Sequence, residues 1–127
     1  NVFELYYLEN RGAAFGIFQG KRVIFLIITI IILVFLAYCF WRIPYTRKYA
    51  TLRGVLVLIA AGAVGNFIDR MYNGYVVDFF YFKVINFPIF NVADIYVTCS
   101  AIFLAVLLIF CYKEEDLNQL LKSLKGK

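Results

Sequence analysis

Three of the aspartates in this chain stand beside long apolar runs. Asp69 ends one run, Asp78 lies among valines and phenylalanines, and Asp94 begins the next run. Two carboxylates brought close together cannot both ionise cheaply, so one of them retains a proton. The ionised member can then take a proton from water while the protonated member hydrogen-bonds to a carbonyl. Asp78 and Asp94 therefore suggest aspartyl peptide hydrolysis, which needs neither a metal nor a histidine.

Each carboxylate also has a structural interpretation. Asp69 could form an interfacial ion pair with Arg70 that ends the span, and Asn91 could cap a helix with Asp94 in its first turn. For Asp78 the functional interpretation is favoured, because a merely solvated loop acid would more often have polar neighbours. A helix N-terminus favours negative charge at Asp94, so we expect Asp78 to hold the shared proton.

The absence of histidine, the placement of the cysteines and the net charge exclude several other kinds of functional site. The chain has no histidine, which excludes Ser-His and Cys-His nucleophilic pairs and the histidine-rich zinc sites of membrane metalloproteases. Cys39, Cys99 and Cys111 form neither a CxxC pair nor a disulfide framework, and we interpret them as small apolar residues. The net charge of +5 is typical of membrane topology rather than nucleic-acid binding. We expect no metal and no cofactor.

Apolar residues make up 64% of the sequence, above the 45–50% or so of soluble domains. They cluster in runs that approach the length of about 20 residues needed to cross a bilayer. Soluble core helices are the alternative, but three of them in 127 residues would leave too little polar surface. The sequence therefore predicts a membrane all-α fold with three transmembrane helices, over residues 23–41, 54–70 and 91–112.

Charge predicts the orientation of these spans. The loop 42–53 carries four basic residues and no acid, so the positive-inside rule makes it cytoplasmic. The tail 113–127 falls on the same side and is predicted to be a short amphipathic or frayed helix. The loop 71–90 is then extracytoplasmic, and Asp69, Asp78 and Asp94 all lie at the outer membrane face.

The N-terminal segment 1–22 has a different character. Its first nine residues are rich in strand formers with partial alternation, Asn10 to Gly12 supplies turn chemistry, and Gly16 and Gly20 break the chain again. These features predict a small extracytoplasmic β-element on the membrane surface. The chain starts at Asn1 without a signal-peptide pattern, and we expect it to be truncated at the N-terminus.

Four blocks of sequence carry a family resemblance. Residues 10–16 read NRGAAFG, 62–70 read GAVGNFIDR, 76–79 read VVDF and 90–94 read FNVAD. In this order, with spans between them, they resemble the four downstream signature blocks of lipoprotein signal peptidase, the bacterial signal peptidase II family. The resemblance covers residues 1–112. Members of that family have four spans, the first of which carries a polar Asp and Lys pattern, and we expect this chain to match only the last three.

The resemblance implies a catalytic dyad of Asp78 and Asp94. Six further residues would shape the site and hold substrate: Asn10, Gly12, Asn66, Asp69, Arg70 and Asn91. The implied substrates are prolipoproteins with a diacylglyceryl-modified cysteine, cleaved on the amino side of that cysteine at the outer face of the bacterial cytoplasmic membrane. Membrane lipids and globomycin-type inhibitors are the other expected partners.

Two other functions use the same residues. A small transporter or proton relay would also need acids in a membrane chain, but it would usually place them near mid-membrane on discontinuous helices. A non-catalytic protein that binds lipidated peptides would share the site of the enzyme. Only turnover separates such a binding protein from a peptidase.

Overall fold

The computed structural model describes residues 2–12 and 21–126. In chain order the elements are β1 (Phe3–Asn10), α1 (Arg22–Arg42), α2 (Ala50–Asn73), β2 (Val76–Phe82), α3 (Val92–Val106) and α4 (Glu114–Leu124). Single 3₁₀ turns precede α2 and follow β2, and a π-helical turn, Leu107–Cys111, continues α3.

Within the described residues, three helical segments are long and apolar enough to cross a membrane: Arg22–Arg42, Arg47–Asn73 and Val92–Cys111. At 1.5 Å per residue, the 21 residues of α1 extend about 32 Å, the thickness of the hydrocarbon core. Cys39 is the only fully buried residue of α1, and most of its other apolar side chains are exposed, as a lipid-facing helix requires. The predicted membrane all-α fold with three spanning helices is confirmed.

Local sequence accounts for where the spans end. The α1 helix stops at Arg42 because Ile43 precedes Pro44 and adopts an extended backbone. Gly74 ends α2 in the left-handed region, with φ of 78°, and donates its N–H to the carbonyl of Arg70. Asn91 begins α3 through a capping box with Asp94.

The segments predicted as loops contain more regular structure than the sequence indicated. The 42–53 segment already contains a 3₁₀ turn and the first residues of α2, which begins at Ala50. The 71–90 segment contains the last turn of α2, the strand β2 and a 3₁₀ turn. Within 1–22, β1 forms as a strand, whereas Gly16 and Gly20 fall outside the described residues.

The β-element is a two-stranded antiparallel sheet made by β1 and β2. Leu8 pairs with Asp78 and Asn10 pairs with Val76, and the register shifts between Leu5 and Leu8. At its other end, the Phe3 ring packs against Phe80 and Phe82. The sheet therefore brings the N-terminal segment to the connection between α2 and α3.

The apolar core lies at the opposite end of the bundle. It joins the ends of α1 and α2 to α4 through six buried residues: Cys39, Ile43, Tyr49, Leu52, Leu56 and Leu120. Tyr49 donates its hydroxyl to the Asp116 carbonyl, and Arg42 donates to the Ser123 carbonyl. The tail is thus a docked helix at the end remote from Asp78.

Helices α2 and α3 approach each other closely at Gly62. A Cβ on this glycine would lie 2.7 Å from both the Ala93 carbonyl oxygen and the Val97 Cγ2 atom. The carbonyl belongs to the first turn of α3, so the helix itself would have to move. Gly62 therefore sets how near Asp94 lies to α2.

Replacing Gly62 with alanine tests this contact. Because overpacking a close contact typically costs about 1–3 kcal/mol, we expect Gly62→Ala to lower the midpoint of thermal unfolding in detergent, followed by circular dichroism. The matched control is Gly54→Ala, on the same helix, where an added Cβ would meet nothing within 4 Å. We expect that control to be neutral or slightly stabilising. Equal midpoints for the two variants would contradict the close approach.

Candidate active site

The pairing of β1 with β2 places Asn10 beside Asp78. Asn10 is paired with Val76 in the ladder, so Asp78 is its diagonal neighbour on the other strand. The Asn10 side-chain amide donates to Asp78 Oδ2 over 2.8 Å, and its Oδ1 accepts the Gly12 N–H over 2.9 Å. The second bond fixes which end of the amide faces the carboxylate.

Asn91 connects the two aspartates. Its Nδ2 donates to Asp78 Oδ1 over 2.7 Å, while its Oδ1 accepts the backbone N–H of Asp94 over 2.9 Å. The backbone N–H of Asn91 in turn donates to Asp94 Oδ2 over 3.2 Å. The helix-cap interpretation of Asn91 is therefore correct, and the same side chain also reaches Asp78.

Asn66 completes the network from α2. Its Nδ2 donates to Asp94 Oδ1 over 3.1 Å, and its Oδ1 accepts from Asn91 Nδ2 over 3.1 Å. Both aspartates are nearly inaccessible, with exposed fractions of 1% for Asp78 and 9% for Asp94. The carboxylates are thus buried within a polar cluster at the end of the bundle where α2 ends and α3 begins.

Arg70 and Asp69 occupy the edge of this cluster. Arg70 is buried and donates from Nη2 to the Gly12 carbonyl over 2.8 Å, which ties α2 to the end of β1. Asp69 is half-buried and lines a cavity with Asn66 and Asn91. Between these two described neighbours, Asp69 and Arg70, there is no ion pair within 4.0 Å, so the interfacial ion-pair interpretation is not supported.

Several opposing influences set the charge of Asp78. Burial raises the pKa of its carboxyl above the ordinary value of 3.8, since the charged form loses its hydration. The Asn10 amide lowers the pKa, the negative charge of Asp94 raises it, and the Asn91 amide and Arg70 lower it. Burial prevails, so Asp78 holds its proton more tightly than a free aspartate does.

Two cavities flank the carboxylates. One, of about 320 Å³, is lined by residues that include Asn66, Asp69 and Asn91. The other, also of about 320 Å³, is almost wholly apolar and brings Phe87, Phe90, Ile95, Thr98 and Cys99 around Asp94. The first cavity therefore presents three polar side chains beside the carboxylates, whereas the second presents an almost wholly apolar surface.

Seven of the eight residues singled out from the sequence are joined by hydrogen bonds, and Asp69 lines the adjoining cavity. Neither the helix contact at Gly62 nor the strand over 76–82 was predicted from the sequence. Both had signals: small residues recur around Gly62 in an apolar run, and β-branched and aromatic residues fill 76–82 between Gly74 and Pro88.

The spanning helices, with a buried carboxylate network at one end, define a multi-pass membrane protein. A solved bacterial membrane enzyme, determined by the in meso method at 2.3 Å resolution, matches with a TM-score of 0.75 and 37% identity over 89% of this chain and 71% of that one. A second bacterial membrane enzyme, at 1.9 Å, gives 0.71 and 39% identity over 87% of this chain and 72% of that one.

The family model for signal peptidase (SPase) II matches residues 1–110, and the chain belongs to this family. A lipoprotein signal peptidase of Caldanaerobacter subterraneus subsp. tengcongensis is 46% identical over 87% of this chain and 73% of the relative. A lipoprotein signal peptidase of Streptococcus thermophilus is 44% identical over 91% of this chain and 72% of the relative. Family membership implies a protease that acts in lipoprotein signal-peptide processing.

The raised pKa of Asp78 predicts a pH-dependent stability difference. A carboxyl whose folded-state pKa is raised contributes stability that is complete below its unfolded value and is lost as pH rises through the folded value. The wild type should therefore lose stability relative to Asp78→Asn as pH rises above about 4, in thermal unfolding at a series of pH values.

Asp116 provides a matched control of opposite sign. The Lys48 ammonium and the Lys113 N–H hold the pKa of Asp116 below its ordinary value, so the stability that it contributes is present near neutrality and lost on acidification. Asp116→Asn should therefore be less stable than the wild type at neutral pH, and the gap should close in acid. The same sign for both variants would contradict the burial of Asp78.

Proposed function

We propose that this protein is a membrane aspartic endopeptidase that removes signal peptides from diacylglyceryl-modified prolipoproteins. Cleavage falls on the amino side of the lipidated cysteine. The observation that carries the proposal is the pair of buried aspartates joined by Asn91, in a chain of the signal peptidase II family. No metal or cofactor takes part.

In the proposed reaction the two carboxylates have different protonation states. Asp94, at the N-terminus of α3, is ionised and accepts a proton from the attacking water. Asp78 holds the shared proton and donates a hydrogen bond to the scissile carbonyl, whose oxygen becomes negative as water adds to the carbon. Collapse of the tetrahedral intermediate breaks the C–N bond, and the nitrogen of the lipidated cysteine leaves with a proton from the pair.

The surrounding residues position the two carboxylates and bind the substrate. Asn10, Asn66 and Asn91 orient the carboxylates through the bonds described above. Gly12 and Arg70 form the edge over which the peptide passes, and Asp69 contacts the peptide from the cavity that it lines with Asn66 and Asn91. The apolar cavity beside Asp94 accommodates a hydrocarbon group of the substrate, which suits a peptide held close to its acyl chains.

We place the site at the outer face of the bacterial cytoplasmic membrane. The support is the basic segment 42–53 at the other end of the bundle, which the positive-inside rule assigns to the cytoplasm. With this orientation, the acyl chains of the substrate stay in the bilayer while its peptide reaches the two carboxylates. Globomycin-type inhibitors are expected to compete for the same site.

The position of the acids favours a peptidase over a transporter or proton relay. Asp94 lies in the first turn of α3 and Asp69 in the last turns of α2, so neither is at the middle of a span. A non-catalytic protein that binds lipidated peptides would have the same contacts, and only a turnover assay distinguishes it.

Cleavage of a diacylglyceryl-modified prolipoprotein peptide in lipid or detergent tests the proposal. Asp78→Asn and Asp94→Asn each remove a proton-transfer group, so we expect each to lower kcat by about 10²- to 10⁴-fold. Asp116→Asn makes the same chemical change at the remote end of the bundle and should retain activity. Full activity in either of the first two variants would contradict the aspartyl mechanism, and binding of the peptide without cleavage by the wild type would favour the binding protein.

A further inference from the structure

The chain between Asp78 and Asn91 turns back on itself. Phe80 and Phe90 form an antiparallel bridge, in which each N–H donates to the carbonyl of the other over 2.8 and 3.2 Å. We call residues 80–90 the aromatic hairpin. One leg continues β2, which carries Asp78 two residues before Phe80, and the other leg leads directly into Asn91.

The turn of the aromatic hairpin depends on Asn86. This residue has φ of 47°, the only positive φ of a non-glycine residue in the described parts of the chain. Asparagine tolerates this left-handed conformation better than most residues, whereas a β-branched residue is strained there. The Phe87 N–H then donates to the Phe82 carbonyl over 3.2 Å, which closes the turn.

A side-chain bond links the two legs next to this turn. The Tyr81 hydroxyl donates to Asn86 Oδ1 over 2.7 Å, and both groups are outside the network around Asp78. The bond holds the left-handed residue against the end of β2. The Phe80–Phe90 bridge and the Phe87 bond both depend on this turn. The turn therefore determines the position along the hairpin at which Asn91 contacts Asp78.

We propose that Asn86 and Tyr81 are positioning residues, which fix the contact between Asn91 and Asp78 by holding the aromatic hairpin closed. The proposal rests on the peptidase function for its catalytic consequence, because the residues act through Asn91 and do not touch the reacting atoms. Its structural consequence, the placement of Asn91, is independent of that function.

Displacing Asn91 has a defined effect on Asp78. The groups that face this carboxyl are the Asn10 amide from β1, the Asp94 carboxylate from α3, Arg70 from α2 and the Asn91 amide. The Asn91 bond lowers the pKa of Asp78, so its loss raises that pKa further. Under the peptidase mechanism, the alkaline limb of the pH–rate profile reports loss of the shared proton and moves to higher pH.

Four variants separate the backbone role of Asn86 from its side-chain bond. Asn86→Asp keeps both the hydrogen-bond acceptor and the tolerance for positive φ, so it should cleave like the wild type. Asn86→Gly and Tyr81→Phe each lose only the side-chain bond, and kcat should fall about 3- to 10-fold. Asn86→Val loses both features, and a displacement of about 1 Å at the site can cost up to about 100-fold.

The matched control for the tyrosine is Tyr6→Phe. Tyr6 lies on β1 with its ring 6.2 Å from that of Tyr81, so the change removes a neighbouring hydroxyl and leaves the Asn86 bond intact. Its kcat and pH profile should match those of the wild type. In Asn86→Val and Tyr81→Phe the alkaline limb should move to higher pH.

If Asn86 and Tyr81 contribute only to the stability of the fold, the result is different. In that case the variants lose activity in proportion to the unfolded fraction, the alkaline limb stays in place, and the proposal is overturned. Wild-type activity in Asn86→Val would overturn it as well.

A second measurement keeps the hairpin proposal separate from the proposed function. The unfolding midpoints of Asp78→Asn and its parent are compared across pH, once in the wild-type background and once in Asn86→Val. The difference between the two midpoints should begin at the same pH in both backgrounds, because the unfolded-state pKa sets that limit, and should level off at a higher pH in the Asn86→Val background. An unchanged upper limit overturns the positioning role even if the protein does not cleave, and a raised upper limit with no cleavage by the wild type contradicts the peptidase function alone.

Discussion

The side-chain amide of Asn91 has partners on three elements. Its oxygen is occupied by the backbone N–H of Asp94, so its NH₂ group must face Asp78 and Asn66. The amide cannot rotate without losing the helix cap, because the alternative orientation would place two N–H donors together. A residue that would otherwise only begin a helix thereby fixes how the strand carrying Asp78 lies against α3.

In this arrangement, burial and hydrogen bonding have opposite effects on the ionisation of Asp78. Fixed amide donors from Asn10 and Asn91 favour the ionised form of Asp78, while removal from water and the charge of Asp94 oppose it. The apolar core that stabilises the bundle lies at the other end, around Tyr49 and Leu120. The site end can therefore carry a carboxyl at a cost in stability, as is common where function needs a group in an unfavourable environment.

Local patterns predicted most of the fold and pointed to Asp78 and Asp94, whereas the other site residues were implied by the family resemblance. Apolar run lengths predicted the spans, and the three-residue spacing of Asn91 and Asp94 predicted a helix cap. The partnership of β1 with β2 was not predictable in this way, because Leu8 and Asp78 are 70 positions apart and β2 lacks the alternation of a half-buried strand. The close approach at Gly62 depends on the position of α3, which no sequence window around Gly62 contains.

The central claim is that burial in the pair makes Asp78 hold its proton to higher pH than an ordinary aspartate does. Infrared spectra of the folded protein over a series of pH values test it directly, because a protonated carboxyl and a carboxylate absorb at different frequencies. We predict a protonated carboxyl band that persists above the pH at which ordinary aspartates ionise, is absent from Asp78→Asn and remains in Asp116→Asn. Ionisation of every carboxyl group at the pH of an ordinary aspartate, or a persistent band that survives in Asp78→Asn, would contradict it.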